Sequence, residues 1–195
     1  MTDSGSHFLA QIKTAKQITV YQKQSLPKQV LKLLSDCMSG GLHSTIEIVV
    51  EDLSDAVYLR NLHSCGFALF YGVGLPRRSV ILMDSRQGFV CDDNTGAAAF
   101  RSLSSKDAED LYYKLRWCRF GHAVLLTGVV KETDTHRGLL CLASEGGREF
   151  WCRVKELKLS DIPDGKTIEV FAWLKWLSHI LEVFEIKKLE VQGYP

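Results

Sequence analysis

The hydrophobic pattern of the sequence changes at residues 118–121. Helical periodicity ends there, and all the segments that follow have the pattern of β-strands. Five apolar and β-branched runs follow, at residues 122–131, 139–143, 148–154, 167–177 and 180–191. A turn at Pro163-Asp164-Gly165 precedes the fourth run. Antiparallel strands of this number and length are too few for a sandwich, and a partly closed barrel leaves them few exposed edges. The C-terminal part is therefore predicted to be a five-stranded β-barrel.

Strand and helix signals alternate upstream of this point. The first 25 residues indicate a weakly ordered lead-in with a short extended piece at 17–21. Pro27 suits the first position of a helix whose apolar stripe ends at Gly40. A strand is predicted at 45–50, and Ser54 is predicted to cap the helix that follows it.

Three further strands are predicted at residues 67–73, 79–83 and 88–91. The pair Ser104 and Asp107 resembles a capping box, and it opens a helix that extends to about residue 117. The chain is thus predicted to be α+β and mainly β. An N-terminal domain would cover residues 1–118, and the barrel would cover 119–195.

The barrel segment resembles a known family. Its first strand, Gly-His-Ala-Val-Leu-Leu-Thr-Gly-Val-Val at 121–130, and its last, Leu-Glu-Val-Phe-Glu-Ile-Lys-Lys-Leu-Glu at 181–190, are similar to strands of OB-fold proteins. The OB folds in question are those of replication protein A and of telomere end-capping complexes. This resemblance implies an OB-type barrel that binds single-stranded DNA, or supports a partner that does.

A second assignment of segments to OB strands also fits the sequence, and we call it the second register. Residues 80–84 and 90–100, with their acidic turn, resemble the passage from strand two to strand three of the same family. The helix at 104–117 lies where an OB helix connects strands three and four. In this register 121–130 is the fourth strand of an earlier barrel, so the N-terminal domain is either α/β or a second, altered OB-like unit.

Composition excludes several classes of protein. Lys and Arg number 24 against 23 Asp and Glu, a net charge of +1, which is too low for a protein that holds nucleic acid mainly by charge. No apolar stretch is long enough to span a bilayer, and residues 1–10 do not resemble a signal peptide, so a soluble, intracellular chain without a membrane role is expected. The closest cysteines, Cys141 and Cys152, are 11 residues apart, so zinc spacing is absent.

Catalytic patterns are absent as well. The histidines are scattered, no Gly-x-Ser-x-Gly elbow occurs, and Gly72-Val73-Gly74 lacks the third glycine of a dinucleotide loop. We expect no enzymatic activity and no cofactor.

The candidate ligand face lies on the third run of the barrel. Strict alternation puts Glu149, Trp151, Arg153 and Lys155 on one side of this strand, and Arg148 with Phe150 on the other. Aromatic rings stack on bases, and cations bind phosphate, so Trp151, Arg153 and Lys155, with Arg148 nearby, are predicted to bind a single strand. Alternatively, Trp151 only covers one end of the barrel.

Other aromatic and basic residues have two interpretations. Trp173 and Trp176 are predicted to be core or interface anchors. Arg77 and Arg78 are candidate phosphate contacts, as is the segment Arg116-Trp117-Cys118-Arg119, but a solvated turn and a helix C-terminus explain both without a ligand.

Two functions of different classes follow from these residues. The first is a nuclear subunit of a genome-maintenance complex, acting in DNA repair, replication or telomere protection, which binds single-stranded DNA weakly beside protein partners. The second is a protein-interaction scaffold with no nucleic-acid role, which the near-neutral charge favours.

Overall fold

The computed structural model describes residues 3–39, 45–51, 55–92, 99–154 and 159–188. The chain is α+β and mainly β, as predicted. It divides into two compact units, Met1–Phe120 and Gly121–Pro195, and this boundary lies two residues from the predicted one.

The N-terminal unit alternates strands and helices over most of its length. Its helices are α1 (Asp3–Ile12), α2 (Lys28–Ser39), α3 (Ala56–Ser64) and α4 (Ser105–Leu115), and a 3-10 turn follows at Arg116–Cys118. Its strands are β1 (Gln17–Gln22), β2 (Thr45–Val50), β3 (Ala68–Gly72), β4 (Ser79–Met83), β5 (Gln87–Asp92) and β6 (Ala99–Ser102).

These strands form a mixed sheet in the order β3-β2-β1-β4-β5-β6. The first three are parallel and are connected through α2 and α3, whereas β4, β5 and β6 pair antiparallel. Strand β4 is buried at every residue, and β1 at every residue after Gln17, which is consistent with their mainly apolar sequences. Helix α4 packs against the face that carries Tyr21 and Val49, and Tyr58 of α3 contacts Gln22, which points to the opposite face.

The helix signals of the sequence are largely confirmed. Helix α2 follows Pro27 directly, and the Ser104 hydroxyl caps α4 by accepting a hydrogen bond from the Asp107 N–H at 3.1 Å. The cap of α3 is Asp55, whose carboxylate accepts from the Tyr58 N–H at 2.9 Å. Ser54, which we expected there, lies outside the described residues, and Asp55 does the capping.

The prediction of a weakly ordered lead-in is wrong, because residues 3–12 form α1. Phe8 and Ile12 are 0% and 1% exposed. The Phe8 ring stacks on Phe100 with centroids 4.0 Å apart and meets Phe89 edge-on at 5.1 Å. Helix α1 therefore belongs to the core of the N-terminal unit.

The C-terminal unit is built from five strands. They are β7 (Arg119–Asp134), of which the first two residues belong to the N-terminal unit, β8 (Leu139–Ala143), β9 (Glu149–Val154), β10 (Thr167–Lys175) and β11 (Ile180–Lys188). Strand β7 pairs with β8, β8 with β9, β9 with β11, β11 with β10, and β10 with β7 again. The five pairings close a ring.

One pairing differs from the expected antiparallel arrangement. Strands β9 and β11 are parallel, and β11 lies between β9 and β10 in the order of the ring, so the connection from β9 to β10 is a crossover. The ring encloses one apolar cluster, listed here from β7 to β11: Val130, Leu140, Leu142, Cys152, Val154, Leu159, Ile162, Ile168, Val170, Ala172, Leu181 and Val183.

The second register is wrong. Residues 121–130 pair with β8 and β10 in the C-terminal ring, so they are its first strand. The N-terminal unit has three parallel strands connected by helices, and it is the α/β alternative that the structure has.

Candidate nucleic-acid interface

Strand β9 separates its side chains cleanly between the two sides of the ring. Cys152 and Val154 are buried in the enclosed cluster, and Phe150 packs against it. Glu149, Trp151 and Arg153 are exposed to solvent, and the exposed fraction of Trp151 is 40%. The alternation of side chains along a strand thus places the Trp151 indole and the Arg153 guanidinium side by side on the outer face of the five-stranded ring.

The strands on either side of β9 set the surroundings of these two residues. Trp151 lies between Cys141 of β8 and Ile180 of β11, and Arg153 is opposite Leu139. Its other neighbour is Glu182, which binds Lys175 Nζ at 2.8 Å. Within the described part of the chain Arg153 has no ion pair, so its guanidinium is available to an anion.

Arg148 lies just before β9 and is exposed. Its guanidinium carbon is 5.3 Å from the centroid of the Phe150 ring, so a cation–π contact holds the guanidinium at the start of β9. Lys155, the fourth predicted contact, lies outside the described residues.

Two turns flank the outer face of β9. The turn between β7 and β8 carries Arg137, and the Val154 N–H donates to the Gly138 carbonyl at 2.8 Å, so this turn lies beside the C-terminal end of β9. The turn between β10 and β11 leads into Ile180, the neighbour of Trp151. Trp151 and Arg153 therefore occupy a strip with a loop at each end.

The predicted site did not include these two turns. Trp176 and Leu177, in the second turn, are 62% and 97% exposed. Of the two positions predicted for Trp176, core or interface anchor, the core position is therefore wrong. Trp173, three residues earlier and still in β10, is 7% exposed, as predicted. The signal was the Ser-His pair at 178–179, which ends the strand just after Trp176 and turns the chain.

The remaining basic candidates lie in the N-terminal unit. Arg77 and Arg78 are exposed in the turn between β3 and β4. In the segment 116–119, Arg116 and Trp117 are exposed, but Arg119 is not available, because its Nη2 binds the Glu47 carboxylate at 2.7 Å and its guanidinium lies over the Phe70 ring.

The Glu47–Arg119 pair is a structural feature. Burial acts to lower the pKa of Arg119, but the hydrogen bond to Glu47, the Glu47 charge and the nearby Tyr21 hydroxyl outweigh burial and raise it, so the arginine stays charged. Burial also raises the pKa of Tyr21, which keeps its hydroxyl protonated at neutral pH. This partly buried pair ties Arg119 to Glu47 of β2 within the N-terminal unit.

The thiols and acidic groups offer little chemistry. Burial, with a smaller contribution from Cys141, raises the pKa of Cys152 to about 12, so this thiol is unreactive. None of the six cysteines, all of them within the described ranges, is in a disulfide. Among the residues that the structure describes, no cluster of His, Cys, Asp or Glu could hold a metal ion.

A cleft of about 510 Å³ lies between α2 and α3 in the N-terminal unit. Its floor is apolar, with Leu26, Leu62 and Phe67 all buried, and its rim carries charges of both signs. The mixed rim selects no particular ligand charge. No helix in the described part of the chain is long and apolar enough to cross a membrane.

Comparisons with known proteins give no family. No protein-family model matches the chain, and no curated protein matches it. It is similar in structure to Nuc, a phospholipase D family member from Salmonella typhimurium, with 14% identity and a TM-score of 0.46, over 58% of this chain and 85% of Nuc. It is also similar to apo-CusF from Escherichia coli, with 15% identity and a TM-score of 0.30, over 36% of this chain and 90% of that one. What the chain does is therefore inferred from its own residues.

Proposed function

We propose that the C-terminal unit is an OB-type barrel that binds a short single strand of DNA on the outer face of β8 and β9. The ring of five strands and its crossover before β10 support this proposal, because the OB fold is a five-stranded Greek-key barrel. OB barrels bind oligonucleotides on the face of their second and third strands and with the loops after the first and fourth strands. Those elements correspond here to β8, β9 and the two flanking turns.

The observation that carries the proposal is the exposed Trp151 beside Arg153, which has no ion pair within the described ranges of the chain. An aromatic ring stacks on any base, with about 1–3 kcal/mol per stacked base, and a neighbouring guanidinium binds the phosphate. Trp176 offers a second exposed ring at one end of the strip. Arg137 lies at the other end, where its Nε is 3.7 Å from the Asp134 carboxylate, so its charge is partly neutralised. The strip thus has the two side-chain types that a single strand requires.

The charge of the chain limits the affinity. The net charge is only +1, and Glu149 and Glu182 lie beside the two central residues. Few phosphates are neutralised, so binding weakens with salt but with a shallow slope. A weak binder of this kind suits a subunit that shares its ligand with protein partners, so we place the chain in a nuclear genome-maintenance complex for DNA repair, replication or telomere protection.

The test is a titration of a labelled, mixed-sequence single-stranded DNA with the full chain at low and at moderate salt. Binding should weaken with salt, and the double variant Trp151→Ala with Arg153→Ala should weaken it by at least 10-fold, on the order expected for one stacked base and one phosphate contact. Lys187→Ala is the matched control, because Lys187 is an exposed cation at the far end of β11. Equal affinity of the double variant and the control would overturn the proposal.

A second candidate function is a protein-interaction scaffold. Its supporting observation is that Leu177 and Trp176 are exposed together at the tip of a rigid hairpin, where they resemble the aromatic anchor of an interface. Absence of DNA binding at low salt, together with self-association that Leu177→Ser abolishes in sedimentation experiments, would support the scaffold over the DNA-binding subunit.

A further inference from the structure

The C-terminal end of α4 carries an exposed cluster that the barrel site does not use. It consists of Tyr113, Arg116 and Trp117, and the two rings are 50% and 72% exposed. The guanidinium carbon of Arg116 lies 4.9 Å from the centroid of the Tyr113 ring and 4.8 Å from that of Trp117. We refer to these three residues as the aromatic–guanidinium cluster.

We propose that the aromatic–guanidinium cluster binds one nucleotide of a single-stranded nucleic acid, with the base stacked on Trp117 and the phosphate bound by Arg116. This inference rests on the proposed function, because it gives the same class of ligand a second contact, in the N-terminal unit.

The orientation of Arg116 is the first argument. Its contacts with two rings hold the guanidinium in place, so less freedom is lost when its N–H groups bind an anion. Within the described residues Arg116 has no carboxylate partner, although Glu109 and Asp110 lie on the same helix. A phosphate, which accepts two parallel N–H bonds from a guanidinium, complements this unpaired charge.

The exposure of Trp117 is the second argument, and it favours a nucleotide over an acidic peptide. A carboxylate side chain would occupy only the guanidinium and leave the indole in water. A nucleotide presents a flat base and a phosphate on one unit, and the cluster presents an exposed ring beside an oriented cation. Lys114, also exposed, adds a positive charge at the same end of α4.

Neighbouring acidic residues define the direction from which a nucleic-acid strand approaches the aromatic–guanidinium cluster. Glu109 and Asp110 precede Arg116 and Trp117 by seven residues, which is two helical turns, so they lie on the same side of α4. They repel a phosphate from the N-terminal half of the helix. The strand therefore reaches the cluster from the C-terminal end of α4.

The experiment uses the full chain and a labelled, mixed-sequence oligonucleotide, in deoxy and ribo forms. Trp117→Ala should weaken binding by about 5-fold or more, and Arg116→Ala should reduce the slope of log K against log salt by about 0.7. Lys106→Ala, an exposed cation at the other end of α4, is the control and should change the affinity by less than about 2-fold. Thermal unfolding should show that all three variants remain folded, because the altered side chains are exposed.

The results separate this inference from the proposed function. Loss of affinity in the barrel variant only, with Trp117→Ala and Arg116→Ala equal to the control, overturns the inference and leaves the barrel site standing. Loss in the cluster variants only overturns the barrel site and supports the inference. If no oligonucleotide binds and Trp117→Ala instead abolishes self-association, the cluster is a protein contact and both are wrong.

Discussion

Asp84 fixes the turn between β4 and β5 with a backbone that residues other than glycine rarely adopt. Its φ is 48°, and its carboxylate accepts hydrogen bonds from the N–H groups of Lys16 at 3.0 Å and Gln17 at 2.9 Å. The positive φ is unfavourable, but hydrogen bonds to a charged acceptor contribute about 1.5–3 kcal/mol. The carboxylate thus ties the start of β1 to the hairpin and stabilises the strained turn.

We expect Asp84→Gly to destabilise the N-terminal unit by about 1–2 kcal/mol, although glycine relieves the strained φ, because two N–H groups lose their acceptor. Asp84→Ala should be worse by about a further 1 kcal/mol, since it keeps the strain and also loses the carboxylate. Urea unfolding followed by circular dichroism measures both. A glycine variant as stable as the parent chain would show that the carboxylate contributes nothing.

Glu51 couples the stability of the N-terminal unit to pH. Burial acts to raise its pKa, but backbone hydrogen bonds from Leu75 and Gly74 and the charge of Lys23 outweigh burial and lower the pKa below its ordinary value. The Leu75 N–H lies 2.7 Å from the carboxylate, and Lys23 Nζ lies 3.2 Å from it. A lowered carboxyl pKa stabilises the fold above the unfolded value, and this contribution is lost as the pH falls.

The free energy of unfolding should therefore fall more steeply in the parent chain than in Glu51→Gln between about pH 5 and pH 3, the range in which the unfolded carboxyl group takes up its proton. At neutral pH the variant should be the less stable of the two. Denaturant unfolding at several pH values checks both statements. Parallel pH profiles for the two chains would contradict the coupling.

At the scale of elements, α1 shows where pattern reading fails. Phe8 stacks on Phe100 and meets Phe89, so a helix with modest sequence signals is held by tertiary contacts. Phe8→Ala should cost about 3–5 kcal/mol, as is usual for a buried ring, whereas Lys13→Ala, at an exposed position, should cost less than about 0.5 kcal/mol. Thermal unfolding compares the two, and a small effect of Phe8→Ala would mean that α1 does not belong to the core.

The sequence predicted those elements whose signals are local. The stripe of α2 and the capping box of Ser104 depend on residues three or four positions apart, and both were found. The parallel pairing of β9 with β11 depends on residues far apart in sequence, so no local pattern reports it. The exposure of Trp176 depends on where β10 ends, and the apolar run at 167–177 conceals that end. The shared outer position of Trp151 and Arg153 could be predicted because side chains alternate along β9. The two turns that flank them could be placed only from the pairing of whole strands.

At the scale of the whole molecule, each unit has a hydrophobic cluster of its own. One cluster lies between α4 and the mixed sheet, and the other lies inside the ring. Separate cores allow a substitution in one unit to unfold that unit without removing the packing of the other. We expect the C-terminal ring to be more sensitive to a single substitution than the N-terminal sheet, because the ring closes only when all five strand pairings are formed.

Gly128 tests this separation. A Cβ at this position would lie 2.4 Å from the Ala143 carbonyl oxygen, a backbone atom that moves only if β7 and β8 part, whereas a Cβ at Gly146 meets nothing. Gly128→Ala should therefore remove hydrogen-exchange protection from Leu140 and Leu142 in β8 while Val20 and Ile48, in the other unit, stay protected. Gly146→Ala should leave both regions unchanged. Loss of protection in both units together would mean that the chain unfolds as one cooperative body, and Trp151 and Trp117 could not then be tested as sites on independently stable units.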